Sequence, residues 1–281
     1  MLNLPSAVDA QLEAEYALRR RHPERSEVYD LHRRKSAAVR ADGRWQLDVR
    51  YGAGPRCLLD VFPAGPAGGP VLFFVHGGYW RALDKSYVSF LVPPFVAAGI
   101  TVVLPTYDLV PDVPVGSIVD ELRLALAYVV ENLAPSSVVV GGHSAGGQLA
   151  AMLALDDAER GGGPISGLVG VSGAYDLRPL LRTSINVDLR LTEEEAARQS
   201  PLVRLGTLPS TAPLVPLLAA VGSEETRGFR AWSAELVEGW RARGAEAHLM
   251  EPDGRTHFTV LDAIAEPDGA LAKAIIALAG V

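Results

Sequence analysis

The sequence predicts an α/β fold in which helices cover both faces of a mostly parallel central sheet. From Pro70 onward, short and nearly uniformly apolar runs alternate with helical patterns. Such runs are typical of parallel strands that are buried on both faces. Ahead of them, residues 45–52 and 57–65 are rich in strand-forming residues and flank a Gly-Pro turn. That pattern predicts an antiparallel hairpin at one edge of the sheet.

Each further element follows from the period of its apolar residues. Strands are predicted at 71–78, 101–109, 137–142, 165–173, 214–222 and 245–252, and helices at 85–99, 115–133, 145–155, 229–244 and 268–279. Pro93 and Pro94 must break or kink the first of these helices. Near the start of the chain, Ser6 and Asp9 fit a capping box, which predicts a helix over 6–21.

The length of 281 residues suits one domain over residues 1–281, with a helical N-terminal segment at 1–44. His22 and His32 lie in this charged segment and are predicted to be surface groups. Residues 174–212 interrupt the alternation and are too many for an ordinary connection. We predict that they form a small cap over the carboxyl ends of the strands, where ligands bind in such folds.

Composition and charge exclude several classes of protein. The net charge of −7 argues against a nucleic-acid partner, which a basic domain would favour. No apolar run is long enough to span a membrane, and the N-terminus lacks the pattern of a leader peptide, so a cytoplasmic location is expected. Cys57 is the single cysteine. No metal or nucleotide motif is present, so we expect no metal and no cofactor. A small-molecule substrate is expected, and homo-oligomerisation stays open.

The stretch 142-GHSAG-146 carries the strongest functional signal. It matches G-x-S-x-G between a predicted strand and a predicted helix, which is the context of a nucleophile elbow. A serine at so sharp a corner is held in a strained conformation, and its neighbours must be small because backbone segments crowd there. The following helix directs free N–H groups at the serine. The motif therefore predicts Ser144 as a nucleophile in an α/β-hydrolase fold.

A nucleophilic serine needs a base and an orienting carboxylate, which follow it in this architecture in the order acid, then histidine. Only His248 and His257 come after Ser144. His248 lies within a strand pattern, whereas His257 lies in a polar turn just beyond it, so His257 is the predicted base. Glu224 and Glu225 both follow the preceding strand, and the residues alone leave the choice between them open.

A second glycine motif, 76-HGGYW-80, ends the first apolar strand of the alternation. In hydrolases with such an elbow, an H-G-G loop supplies a backbone N–H group to the oxyanion hole. We expect His76 to orient this loop by hydrogen bonding. Tyr79, Trp80 and, in the elbow, His143 are candidates for the substrate pocket, although packing explains the two aromatic residues equally well.

The segments 76-HGGYW-80, 142-GHSAGG-147 and 257-HF-258 together resemble the arylformamidase (kynurenine formamidase) group of α/β-hydrolases, whose hallmark is HGGxW. The resemblance covers most of the chain. It implies that Ser144 is the nucleophile and His257 the base.

The register of Phe229 on the pattern of that group implies Glu225 as the acid, where most members have Asp. The resemblance further implies an oxyanion hole made by the N–H groups of Gly77 or Gly78 and of Ala145.

Three functions compete. The resemblance implies hydrolysis of a small aromatic formamide such as N-formylkynurenine through an acyl-enzyme. A general carboxylesterase acting on short acyl or aryl esters would use the same residues and a different pocket. A hydrolase-fold protein with a binding or non-hydrolytic role is the third hypothesis.

Overall fold

The computed structural model describes residues 8–281, and within this range eight strands form one sheet in the order β1-β2-β4-β3-β5-β6-β7-β8. The strands are β1 (Gln46–Arg50), β2 (Leu58–Phe62), β3 (Val71–Val75), β4 (Thr101–Pro105), β5 (Val138–His143), β6 (Ile165–Val171), β7 (Leu217–Ala220) and β8 (Ala247–Met250). β2 pairs antiparallel with β1 and β4, and the other pairs are parallel. The predicted sheet and edge hairpin are confirmed.

Helices connect the strands and frame the sheet. They are α1 (Ala10–Tyr16), α2 (Leu18–Arg21), α3 (Arg25–Arg40), α4 (Val92–Ala97), α5 (Val115–Leu133), α6 (Ala145–Glu159), α7 (Asn186–Leu189), α8 (Glu193–Arg198), α9 (Pro201–Thr207), α10 (Arg227–Ala242), α11 (Val260–Ala265) and α12 (Ala270–Leu278). Short 3₁₀ helices lie at Lys85–Tyr87, Ser89–Leu91 and Arg178–Arg182. No helix of the described range is both long and apolar enough to cross a bilayer.

The core lies on both faces of the sheet, as β3 illustrates. Val71, Phe73 and Val75 belong to one apolar cluster, which also includes residues of α5, α6 and α10. Leu72 and Phe74 belong to the other, with residues of α4, α11 and α12. Because successive side chains of a strand point to opposite faces, a fully apolar strand requires both layers of helices.

Two predicted helices differ from the structure. Pro93 and Pro94 lie in the first turn of α4, where a missing N–H group is tolerated, so they begin a short helix after two 3₁₀ turns. In the N-terminal segment, Asp9 is the N-cap of α1, and its carboxylate accepts from the N–H groups of Gln11 and Leu12. Ser6 lies outside the described residues.

The N-terminal segment packs onto the α/β core, so the prediction that His22 and His32 are surface groups is wrong. Their exposed fractions are 7% and 2%. His32 stacks on Phe90 with ring centroids 4.2 Å apart, and α3 ends in Arg40, which pairs with the fully buried Asp60 of β2. A charged helix can thus bury one face when its cations meet buried carboxylates.

Residues 174–212 form a group of short helices beside the N-terminal segment. α9 packs against α6 and α10, and α1 contacts the 3₁₀ helix at Arg178–Arg182. The N–H group of Asp9 donates to the carbonyl of Arg182 at 2.8 Å, and the Glu13 carboxylate accepts from the N–H and hydroxyl of Ser184 at 2.7 and 2.6 Å.

Candidate active site

Three side chains from different strand ends form one hydrogen-bonded chain. Ser144 follows β5, Glu225 follows β7 and His257 follows β8, and the carboxyl ends of these parallel strands meet at the same edge of the sheet. His257 Nε2 lies 2.9 Å from Ser144 Oγ, and His257 Nδ1 lies 2.7 Å from Glu225 Oε2. All three residues are buried. This is the arrangement in which an imidazole can take the serine proton while a carboxylate fixes its tautomer.

The structure brings Glu225, and not the exposed Glu224, to His257. The second oxygen of Glu225 accepts from Ser172 Oγ at 2.5 Å and from the N–H group of Gly222 at 2.8 Å. A buried carboxylate is stable only when its oxygens are hydrogen-bonded. These partners hold Glu225 in place independently of His257.

The corner at Ser144 shows why the elbow has its sequence. Ser144 has φ 56° and ψ −119°, a positive-φ conformation that is strained for a residue other than glycine. A Cβ on Gly142 would lie 2.2 Å from the carbonyl oxygen of Gly146, and one on Gly146 would lie 2.1 Å from that of Val75. Any side chain at either position would displace backbone, so the glycines allow the turn to close against β3.

The loop after β3 lies against the elbow. A Cβ on Gly77 would lie 3.1 Å from Ser144 Cβ and 2.8 Å from the carbonyl oxygen of His143. Gly78 has φ +113°, and a Cβ there would meet the carbonyl oxygen of Ala82 at 2.2 Å. Ala145 is the first residue of α6, and the first N–H groups of a helix have no intrahelical partner. The backbone beside Ser144 can therefore present N–H groups to an oxyanion.

Under this loop, His76 is fully buried and its Nδ1 lies 2.8 Å from the carbonyl oxygen of Gly77. Its ring stacks on Tyr107 with centroids 4.4 Å apart. Burial lowers the pKa of His76 to about 4, so the ring is neutral near pH 7. Such a ring supports the loop by packing and hydrogen bonding.

His143 links the elbow to the base. Its Nε2 donates to the carbonyl oxygen of His257 at 2.8 Å, and the two rings lie 4.8 Å apart. Burial, together with the nearby His257, lowers the pKa of His143 well below its ordinary value. His143 is therefore a neutral donor that fixes the backbone of His257.

Ser144 opens into a cavity of about 280 Å³. Its floor, made by Gly77, Gly78, His143, Ser144 and His257, lies at the strand ends. Its roof is contributed by the N-terminal segment, through Leu18, Arg19, Arg25, Ser26, Tyr29 and His32. The wall between them consists of Tyr79, Ala82, Leu83, Tyr87, Val88, Phe258 and Leu261. Residues 174–212, the predicted cap, contribute none of these lining residues.

The two aromatic residues of the HGGYW motif have different positions. Tyr79 lines the cavity, and its hydroxyl donates to the carbonyl of Tyr16 in α1. Trp80 does not line the cavity, so the prediction of Trp80 as a pocket wall is wrong. Its fully buried ring donates through Nε1 to Gln148 Oε1 of α6 at 3.0 Å. Trp80 therefore anchors the loop to the helix of the elbow.

One group of described residues brings potential metal ligands together. Ligand atoms of Cys57, Asp108 and Glu121 lie within 4.8 Å of one another. Asp108 Oδ1 accepts from the N–H group of Arg56 and Glu121 Oε2 from that of Asp108, so each carboxylate already has a backbone partner. None of the three lines the cavity.

The sequence prediction missed Ser172 and the roof. Ser172 follows β6 directly and, like Ser144, has a positive φ. A serine followed by glycine at the end of a predicted strand was a usable signal. For Arg25 and Tyr29 no local pattern was available, because their contact with the site depends on how the whole N-terminal segment folds back.

The geometry of this site is characteristic of one class of protein. A serine on a strained strand-to-helix corner, paired with a histidine and a carboxylate from later strand ends, is the arrangement of α/β-hydrolases. Residues 72–261 match the family model described as the alpha/beta hydrolase fold, and the chain belongs to that family.

Within the family, the chain is most informatively compared with kynurenine formamidases. It is 32% identical to that of Danio rerio over 253 residues, covering 88% of this chain and 86% of the relative. It is 31% identical to that of Salmo salar over 254 residues, with the same coverage. A solved structure, a candidate thioesterase from Silicibacter sp. tm1040, superposes with a TM-score of 0.84 at 28% identity, covering 97% of this chain and 100% of that one. The chain is an arylformamidase-like α/β-hydrolase.

Proposed function

We propose that this chain is a serine hydrolase that cleaves the N-formyl group of small aryl formamides of the N-formylkynurenine type. The observation that carries the proposal is the hydrogen-bonded chain of Ser144, His257 and Glu225, which opens into a cavity lined by Tyr29, Tyr79 and other aromatic rings. The similarity to kynurenine formamidases over most of the chain supports the same substrate class.

In the first step, His257 Nε2 accepts the proton of Ser144 Oγ as this oxygen attacks the formyl carbon. Glu225 holds the imidazole through Nδ1 and offsets the charge that the ring acquires. The carbonyl oxygen becomes an oxyanion, to which the N–H groups of Gly77 or Gly78 and of Ala145 donate. Loss of one such donor raises the barrier by about 3 to 4 kcal/mol in comparable enzymes.

Collapse of the tetrahedral intermediate breaks the bond between carbon and nitrogen. His257 returns its proton to the aryl nitrogen, so the arylamine leaves neutral and Ser144 carries a formyl ester. Water then attacks this ester, with His257 again accepting a proton, and formate leaves as the serine is restored. No external oxidant or reductant is required.

The shape of the site supports a small acyl group and a large leaving group. Gly77 packs so closely on the elbow that a single added Cβ would reach the Ser144 side chain. The open volume lies instead toward the roof, among Tyr29, Tyr87 and Phe258. A formyl group fits the crowded side, and a flat aryl amine fits among the aromatic rings.

The proposal is tested by kcat/KM on N-formylkynurenine beside p-nitrophenyl acetate and butyrate, with Ser144→Ala as the control for contaminating hydrolases. We expect the formamide to be preferred by about a hundredfold or more, as differential transition-state binding allows. Turnover of the esters without the formamide would establish the rival carboxylesterase. Turnover of neither would overturn the hydrolase assignment and favour a binding role.

The cellular location belongs to the same proposal. The single cysteine, Cys57, is buried and free, which suits a reducing compartment, and we propose a cytoplasmic enzyme.

A further inference from the structure

The charges around the cavity differ from those of the whole chain. The chain carries a net charge of −7, yet no aspartate or glutamate is found among the described residues that line the cavity. Their permanent charges are the guanidinium groups of Arg19 and Arg25, both in the roof. Although the protein is acidic, the permanent charges among the described lining residues beside Ser144 are all positive. Such a cavity favours a ligand with a negatively charged group.

Arg25 is held in a defined position. It begins α3, is half-buried, and donates through Nη1 to the carbonyl oxygens of Arg19 at 2.6 Å and His22 at 3.1 Å. These contacts leave the Nε and Nη2 donors, the edge that matches a carboxylate bidentately. None of the ion pairs formed among the described residues includes Arg19 or Arg25; the nearest along the chain join His22 to Glu24 and Arg33 to Asp30.

Tyr29 lines the roof of the cavity together with the two cationic side chains, Arg19 and Arg25. Its ring lines the cavity and meets Phe258 edge-on with centroids 5.5 Å apart. Burial raises the pKa of the Tyr29 phenol, and the positive charges of Arg19 and Arg25 oppose that rise. Since Arg19 is exposed, this end of the cavity faces solvent.

We propose that Arg25, assisted by Arg19, forms an anion subsite in the roof that selects aromatic substrates carrying a carboxylate on the leaving-group side. The inference rests on the proposed function in taking this cavity as the substrate site, and it deepens it by naming the substrate class. An aryl ring beside Tyr29 and Phe258 would direct a short acidic side chain toward the two guanidinium groups. Neutral esters and amides lack this contact and bind only through the ring and the acyl group.

The experiment uses two unreactive ligands that differ in charge alone: 4-oxo-4-phenylbutanoate and its neutral amide, 4-oxo-4-phenylbutanamide. Their dissociation constants are measured by calorimetry on Ser144→Ala, so no hydrolysis is needed, and a failure of the formamidase function cannot be mistaken for a failure of the subsite. The same ligands are then measured after adding Arg25→Gln or Arg19→Gln. Arg33→Gln in α3 and Arg21→Gln in α2 are the matched controls, because both arginines are exposed and lie outside the cavity.

We expect Ser144→Ala to bind the anion about tenfold more tightly than the amide, as a charge-assisted bidentate contact provides. Adding Arg25→Gln should remove that preference, adding Arg19→Gln should reduce it about threefold, and both controls should keep it. The affinity for the amide should change less than twofold throughout. Raising the salt from about 20 mM to about 0.5 M should weaken binding of the anion only.

Equal losses for both ligands in Arg25→Gln would show that Arg25 only ties α2 to α3, and would overturn the proposal. Absence of any preference for the anion in Ser144→Ala would overturn it as well, as would failure of the anion to bind. If Arg25→Gln does not fold, Arg19→Gln and the salt dependence decide whether the anion subsite exists. The Arg19 side chain is exposed and makes no hydrogen bond with the other described residues, so its replacement should leave the fold intact.

Discussion

The floor and the roof of the cavity are built in different ways. The floor is backbone packed on backbone at the ends of β3 and β5, where Gly142 and Gly146 leave no room for a side chain. The roof belongs to a segment outside the strand–helix alternation and is held by side chains, such as the pair of Arg40 with Asp60. From this difference we propose that the floor carries out the reaction and that the roof selects the substrate. Variants in the two regions should therefore change different kinetic quantities.

The largest effect is expected at the floor. Ser144→Ala should lower kcat/KM about 10⁴-fold or more for every substrate, because the nucleophile is lost. The thermal midpoint should change little, since among the described residues the hydroxyl shares a hydrogen bond with His257 alone. Steady-state rates and a melting curve check both parts. A loss confined to one substrate would contradict the separation of floor and roof.

The next largest effect is expected at the acid. Glu225→Gln should lower kcat about 10³-fold or more, because a neutral amide no longer stabilises the imidazolium or fixes its tautomer. Glu224→Gln is the matched control, since that side chain is exposed and should leave rates within about twofold. Equal losses in the two variants would refute the assignment of Glu225.

The protein should also lose stability in acid because of His76, which is buried under the loop that contributes to the floor. His76 has a folded-state pKa of about 4, below its ordinary value of 6.5, so between these values the unfolded state binds more protons than the native state. The contribution of the neutral, buried His76 to the free energy of unfolding is fully present above pH 6.5. It is lost as the pH falls toward 4, and the loss is roughly 3 kcal/mol at most. Urea unfolding should show a shallower decline for His76→Gln than for the wild type. An identical pH dependence would mean that the pKa of His76 is the same in the native and unfolded states, and would contradict the expected effect of burial.

A roof variant should alter selectivity instead. Tyr29→Leu removes an aromatic wall that meets Phe258 edge-on, and it should raise KM for N-formylkynurenine about tenfold. The kcat value for p-nitrophenyl acetate should stay within about threefold, because the floor is unchanged. A comparable fall in kcat for both substrates would show that the roof takes part in the chemistry.

The smallest effect is expected in residues 174–212. Val187 is an exposed residue of α7, and Val187→Ser should leave kcat and KM within about twofold for both substrates. A selective rise in KM for the formamide would support the prediction that these residues cap the site.

Local sequence patterns predicted the floor because its parts are short motifs. The elbow, the glycine loop and the turn containing His257 each need particular residue types at adjacent positions. Glu224 and Glu225 could not be separated by residue type, and the family register of Phe229 favoured Glu225. The structure gives a physical reason for this register. The centroid of the Phe229 ring lies 4.5 Å from that of His257, so Phe229 must follow the acid at a fixed number of residues along the chain.

The roof could not be predicted in the same way. Arg25 and Tyr29 reach the site only through packing between residues far apart in the sequence, and a charged segment resembles a solvated helix until its partners are known. Trp80 is the opposite case, a residue that was expected at the cavity and lies away from it. Its position in the motif suggested a pocket wall, whereas its ring is buried against α6 and donates to Gln148. Long-range pairing decided both cases.

The proposals for the floor and the roof meet at Ser144, as an activated nucleophile whose cavity holds an aromatic acid under the roof. The most direct measurement is the rate at which a fluorophosphonate labels the protein, with and without saturating 4-oxo-4-phenylbutanoate, with the labelled residue located by peptide mass spectrometry. We expect labelling at Ser144 that the ligand slows at least about tenfold. Absence of labelling at Ser144, or labelling that the ligand leaves unchanged, would contradict it.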